Sequence, residues 1–348
     1  MAIKNRLKND NILKILETLW RNPHSSRADL ARMLRLDRST VGSLADWMIA
    51  RRMITESSTT HSTPKGGRPP IQLSIKGGYA YAIGVELTIP FIRLYAGDLN
   101  GDLLGQKEIP VSNYGTQAID SLAVELARFR KEIDQDYPMT VGLAAVGLGV
   151  SGAVDNDKKE IILSNALKIN QALSVAEPLE TVLNVPIILF NDAQAYALSE
   201  ADALGKKNLI LALIEKRSQT TIGNTGVGIG MVNNDMVING RAITHLLQPS
   251  YDQELEKMEQ FIQNLGRSLA LIANVTSTND IVLGGDVEKY RTDLEREILV
   301  HLNKEGDPLK TGLRIHRASP SHWAVAASSR HAALRHILHN RSFPLNKH

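Results

Sequence analysis

The sequence predicts a small N-terminal winged helix-turn-helix followed by a larger α/β body. Three observations point there. Charge is unevenly divided: residues 1–80 carry 14 Lys/Arg against 6 Asp/Glu, and the remainder carries 26 against 31. Apolar residues recur at helical spacing through the first fifty positions. From Tyr79 onward, apolar strands alternate with helices, and glycines gather where strands are expected to end.

Each element of the first part follows from its spacing. In residues 8–20, Ile12, Ile15, Leu16 and Leu19 share one helical face. A second helix follows Pro23, with Ser25 or Ser26 as its cap and Leu30, Ala31 and Leu34 facing inward. After a turn at Leu36-Asp37, the stretch "RSTVGSLADWMIARRMI" buries Val41, Leu44, Trp47 and Met48, with Asp37 as N-cap. Two short helices joined by a tight turn form a helix-turn-helix, whose second helix opens on small polar and basic residues. Arg38, Ser39, Thr40 and Ser43 are the candidates to reach bases or phosphates of double-stranded DNA, and Arg27 is counted with them. "TESSTTHSTPKGGRPPIQLSI" then reads as a β-hairpin wing with a basic tip. Lys65 and Arg68 at that tip suit a narrow minor groove. A flexible linker or an idle charged surface is the plainer alternative.

In the body, residues 79–109 read as strand, strand, turn, strand, with Asn100-Gly101 marking a hairpin. A helix is expected from about Thr116 to Gln135, then a buried strand ending in the loop "VSGAVD". A helix around Val175–Leu183 precedes the strand "VPIILF", which ends on Asn191-Asp192 and leads into another helix. Two further strands, a long helix over 253–278 and the strand "NDIVLGGDV" complete the pattern. "TGVGIG", Thr225 to Gly230, admits two readings: a phosphate-cradling loop or tight turns.

Taken in order, the winged helix ending in "GGRPP" and the segments "GVELT", "GLGVSGAVD", "VPIILFNDA", "NTGVGIGMV" and "IVLGGDV" resemble the ROK family of repressors, open reading frames and kinases. The resemblance covers nearly the whole chain and implies a two-lobed actin-like ATPase (ribonuclease H-like) body. Boundaries are placed at 1–76 for the winged module, 77–190 for the first lobe and 191–348 for the second. In the family's kinases the Asp of the "ND" pair is the general base toward a sugar hydroxyl. The resemblance gives that position to Asp192, with Asn191 as a sugar ligand, Ser151 and Gly152 in the sugar-side loop, and Asn165 as a further sugar contact.

Departures from the family pattern decide against catalysis. The phosphate loop Asp-x-Gly-x-Thr becomes Glu86-Leu87-Thr88-Ile89-Pro90, which loses the glycine and replaces the threonine donor with proline. Asn224 replaces the leading glycine of the second loop, while Gly284-Gly285 survives. The Gly-Glu-x-Gly-His segment and the cysteine-rich zinc motif are missing, and His245 and Glu254 match no motif position. The chain has no cysteine, which excludes disulfides and thiolate metal sites; neither a metal nor a cofactor is expected.

The expectation is therefore a DNA-binding transcriptional regulator, not an enzyme, answering to a sugar or sugar phosphate and working as a homodimer on an operator. Asp192 then accepts a hydrogen bond from the effector and performs no chemistry. The alternatives are an ATP-dependent sugar kinase with an accessory domain and a regulator with a vestigial pocket. No apolar run approaches the roughly 20 residues of a membrane span, and the N-terminus lacks a signal-peptide core, so a cytoplasmic protein without a membrane partner is expected. The C-terminal helix, "WAVAASSRHAALRHIL", is expected to pack on the body or a partner, and the histidines from His331 onward to mark a solvated helix end.

Overall fold

A computed structural model describes residues 2–58, 70–216, 225–238, 254–287, 295, 312–318 and 321–345. The wing-tip residues Lys65 and Arg68, Asn224 and His245 lie outside the described residues.

The first module is built by the amphipathic spacing noted above. Helices α1 (Ala2–Arg21), α2 (Arg27–Leu34) and α3 (Arg38–Ala50) bury Ile12, Ile15, Leu16 and Leu19 against Leu30, Val41, Leu44 and Met48. Ser26 caps α2: its Oγ accepts from the Asp29 amide at 3.2 Å, and Asp29 Oδ2 accepts from the Ser26 amide at 3.2 Å. Asp37 stands at the N-cap position of α3, but its carboxylate makes no capping bond. Helix α3 stops at Ala50, short of the expected stretch, because Arg52 turns left-handed (φ 58°) and the Met53 amide bonds back to Met48. Trp47 is half-buried, with the Arg51 guanidinium 3.8 Å from its ring centroid. Strands β1 (Ser25–Ser26), β2 (Ile54–Ser58) and β3 (Ile71–Ile75) form the wing sheet in the order β1-β3-β2.

Two five-stranded sheets share one plan. In the first, β4 (Ala80–Leu87), β5 (Phe91–Asp98) and β6 (Leu103–Pro110) form an antiparallel meander. Strands β7 (Gly142–Val150) and β11 (Ile187–Asn191) are added in parallel on the other side of β4, giving β11-β7-β4-β5-β6. The expected Asn100-Gly101 turn closes the β5–β6 hairpin: Gly101 has φ 97°, and Asp98 Oδ1 accepts from the amides of Asn100 and Asp102, each at 2.9 Å. Between these strands lie α4 (Gly115–Asp136), α5 (Ala176–Leu183) and a small sheet of β8 (Ala153–Asp155), β9 (Glu160–Leu163) and β10 (Leu173–Ser174), which the sequence pattern did not disclose.

After α6 (Asp192–Ala203), the second sheet repeats the plan. Its antiparallel run is β12 (Leu209–Lys216), β13 (Thr225–Asn233) and β14 (Met236–Val237). Following α7 (Glu254–Thr276), β15 (Asp280–Gly285) and β16 (Arg314–Arg317) add in parallel beside β12. "TGVGIG" is thus strand and not loop. Its glycines admit α6: a Cβ on Gly230 would lie 1.9 Å from the Ala193 carbonyl oxygen.

The C-terminal helix α8 (Ala324–His339), grouped above with the second lobe, packs on the first sheet and on α6. Glycines make that seat. A Cβ on Gly84 would lie 1.8 Å from the Ala326 carbonyl oxygen, and one on Gly147 would lie 1.9 Å from that of Ser329. His331 is not part of a solvated end. Its Nε2 is 2.7 Å from Asp202 Oδ2, and its ring centroid lies 4.8 Å from that of Trp20 on α1.

Gly84→Ala forces backbone apart and is expected to destabilise the chain by about 1–3 kcal/mol, read as a lower urea midpoint. Gly42→Ala, where a new Cβ meets nothing within 4 Å, removes a helix-interior glycine and is expected to raise stability by about 0.5–1 kcal/mol.

Candidate functional site

The strand end of β11 delivers Asn191 and Asp192 to the start of α6. Asn191 is the N-cap: its Oδ1 accepts from the Gln194 amide at 3.3 Å, and its Nδ2 donates to the Gly152 carbonyl at 2.8 Å. It therefore clamps the 151–152 loop to the helix start. From the other side, Ser164 Oγ donates to the Ser151 carbonyl at 2.6 Å and accepts from the Leu167 amide at 3.2 Å. Gly152 is required here, because a Cβ would lie 2.3 Å from the Leu163 carbonyl oxygen. Ser164 is a site residue that sequence reasoning missed; its only signal was its place in the turn beside Asn165.

Asp192 is 5% exposed. Its Oδ1 accepts from the Ala193 amide at 2.7 Å, and the Ser151 hydroxyl also bonds to the carboxyl group. Burial, followed by the negative charges of Glu215 and Glu86, raises its pKa well above the usual carboxylate value. The structure thus brings Ser151, Gly152, Asn191 and Asp192 together. Asn165 sits exposed on the adjoining turn.

The place of the altered phosphate loop is filled by a charge row. Glu86 on β4 lies opposite Arg93 on β5, which lies opposite Glu108 on β6. Arg93 Nη1 donates to Glu86 at 2.9 Å and Arg93 Nε to Glu108 at 2.7 Å, while His322 also contacts Glu108. Burial pushes the Glu86 carboxyl up to about 7 despite Arg93. A cavity of about 560 Å³ opens on this row and is also lined by Glu215, Gly284 and Gly285. Gly285 (φ 82°) turns the chain there, against the Ile214 carbonyl. Glu86, the first residue of the altered loop, is thus held in an ion pair with Arg93. Arg93 was legible only through hairpin register. Among the described residues, no group of three or more His, Cys, Asp or Glu is placed to hold a metal ion.

In the winged module, Arg38, Ser39 and Ser43 are exposed at the start of α3, and Thr40 is half-buried beside them. Arg27 is engaged within the module. Its Nη2 is 2.6 Å from Asp46, and its Nη1 pairs with Glu56, which ties α2 to α3 and β2.

Residues 82–247 match the ROK family, and residues 8–52 match the winged helix-turn-helix DNA-binding family. The chain carries a ROK family domain behind a winged helix-turn-helix. Among similar proteins, the xylose repressor of Staphylococcus xylosus is 23% identical over 68% of this chain and 58% of its own length. The xylose repressor of Bacillus subtilis (strain 168) is 27% identical over 67% of this chain and 58% of its own length. The matched part of the chain thus spans little more than half of each relative. In fold, a ROK family transcriptional regulator described as a homolog of the E. coli MLC protein aligns over 96% of this chain and 98% of its own, with TM-score 0.72 and 16% identity. A ROK hexokinase from Thermus thermophilus aligns over 74% of this chain and 99% of its own, with TM-score 0.57 and 17% identity. The ROK body therefore has the kinase-like two-lobed fold.

Because Asp192 and Glu86 hold their protons more tightly in the folded chain than in the unfolded one, stability is expected to fall as pH rises from about 4.5 toward 7 and beyond. Asp192→Asn removes one of these groups. It is expected to flatten the slope and to be more stable than the parent at pH 8, as measured by urea denaturation at pH 5 and 8. An unchanged slope would contradict the assignment.

Proposed function

We propose that the chain is a DNA-binding repressor whose ROK body senses a sugar and does not phosphorylate it. One observation carries this reading: a strand end still equipped with Ser151, Asn191 and Asp192 stands near a phosphate loop whose place is taken by the Glu86–Arg93–Glu108 row. The first set offers hydrogen bonds to a polyhydroxylated ligand. In the second, Arg93 holds both Glu86 and Glu108, and the loop after Glu86 has Thr88 and Pro90 in place of its glycine and threonine. The winged module in front supplies the output.

Arg38, Ser39, Thr40 and Ser43 would enter the major groove, with Lys65 and Arg68 reaching the minor groove from the wing. The pairing of Arg27 gives it the task of presenting α3 to the duplex. Ser151, Gly152, Asn191 and Asp192, with Asn165 at the rim, would hold the effector. The two similar proteins named above are xylose repressors, so xylose is the first effector to test. Two copies bound to a two-fold operator fit the symmetry of winged-helix dimers, and a DNA partner places the work in the cytoplasm. Helix α8 gives a path from effector to DNA, since it touches α6, whose first residue is Asp192, and also α1. A ligand that favours one arrangement of the lobes would shift the pair of winged modules with it.

The test is fluorescence anisotropy on DNA fragments selected with the full chain. Arg38→Glu is expected to weaken binding at least tenfold, and to lower the salt slope by about one if Arg38 meets a phosphate. Xylose is expected to release the DNA, and Asp192→Ala to abolish that release while leaving DNA affinity unchanged. Failure to enrich any sequence would overturn the repressor reading; enrichment with no response to any aldose would overturn the sugar sensor.

A further inference from the structure

A second cavity lies at the other end of α6, between the winged module and the body. It measures about 870 Å³ and is walled by the end of α1, the 99–101 hairpin tip and the 201–207 segment. Ten residues of α6 separate Asp202 on its wall from Asp192, roughly 15 Å along a helix. It is therefore a different place from the proposed sugar site.

One side chain on its wall has a donor left unmet among the described residues. Arg330 is 8% exposed, yet its guanidinium forms no ion pair among the described residues. Nη1 donates to the Asp98 carbonyl at 2.9 Å, and Nε is buried with no hydrogen-bond partner. Asp98 acts on the Arg330 charge through space but gives Nε no bond; its Oδ1 accepts from the Asn100 and Asp102 amides. Two glycines lie beside the fork. A Cβ on Gly97 would lie 3.2 Å from Nε, and one on Gly101, on the cavity wall, would lie 3.7 Å from Nη2. A buried guanidinium with an unmet donor is costly, and its fork geometry matches an oxyanion. Lys207, exposed on the same wall, also forms no ion pair among the described residues.

The other charges of this wall are nearly all balanced. Lys206 pairs with Asp280 at 3.2 Å, Arg21 with Glu17 at 3.6 Å, and Asp202 with His331 and Arg335. His24 Nδ1 shares a hydrogen with Ser74 Oγ at 3.0 Å. Asp235 is the lining acid with no ion pair among the described residues, so a ligand bearing hydroxyl donors suits its side. We propose that this junction binds a small hydroxylated oxyanion, a phosphate ester or a hydroxycarboxylate, with Arg330 and Lys207 as its cationic contacts. Such a ligand touches both the winged module and the body.

The full chain is titrated with glycerol 3-phosphate and with citrate at constant ionic strength, read by calorimetry and thermal shift, with NaCl as control. One of the two is expected to bind saturably. Lys207→Glu should weaken binding at least tenfold, Arg330→Gln should abolish it, and Asp192→Asn should leave it unchanged. Binding of the phosphate ester alone assigns the phosphate class, and binding of citrate alone the carboxylate class. If neither saturates, if Lys207→Glu has no effect, or if Asp192→Asn weakens binding equally, the proposal is wrong. Should Arg330→Gln fail to fold, the exposed Lys207→Glu decides alone. No DNA enters this test, so its failure is separable from failure of the repressor reading.

Discussion

The seat of α8 on the glycine face of the first sheet is the constraint on which the arrangement depends. Gly84 and Gly147 let the backbone of α8 come into direct contact with β4 and β7, a closeness no residue with a Cβ permits. From that seat α8 reaches both of its other neighbours. Toward α6 it offers His331 and Arg335 to Asp202. Toward α1 it offers the His331 ring to Trp20 and His339 to Glu17 at 3.1 Å, and just beyond its end Arg341 meets Asp10 at 2.9 Å. The exposed pairs contribute little each; the shared geometry matters more. One helix, held rigidly on one lobe, is the common neighbour of the second lobe's first helix and of the DNA-binding module.

The proposed effector site uses the same economy of parts. Asn191 caps α6 and clamps Gly152 with one side chain, so the loop is tied to the helix start that carries Asp192. Burial near Glu215 and Glu86 holds the Asp192 carboxyl toward its neutral form, in which it can both donate and accept a hydrogen bond. That state suits gripping a hydroxyl more than removing its proton. Arg93, meanwhile, gives Glu86 a partner within the sheet. Thr88 and Pro90 in the loop and the Arg93–Glu86 pair beside it stand together in this chain.

Much of this was legible in the sequence, for identifiable reasons. The module's helices were readable because Ile12, Ile15, Leu16 and Leu19 repeat at the period of a single buried face. The Asn191-Asp192 strand end was readable because a run of buried apolar residues stops abruptly on two polar ones. What escaped depends on contacts distant in sequence. Nothing local distinguishes a glycine that turns a loop from one that admits a helix, so "TGVGIG" kept two readings until α6 was seen against Gly230. His331 looked like part of a solvated tail because its partners, Asp202 and Trp20, lie more than a hundred residues away. The α3 end at Ala50 rests on a left-handed arginine, Arg52, a conformation its residue type does not announce. Arg93 required the register of two hairpins.

On the proposed function, ligand bound at Asp192 is sensed through α8 by the winged module. Hydrogen–deuterium exchange of the full chain with and without saturating xylose tests it most directly. Added protection is expected at 151–152 and 191–194, accompanied by changed exchange in α8 and the last turns of α1. Protection confined to the sugar site with α8 and α1 unmoved, or no change at 151–152 and 191–194, would contradict it.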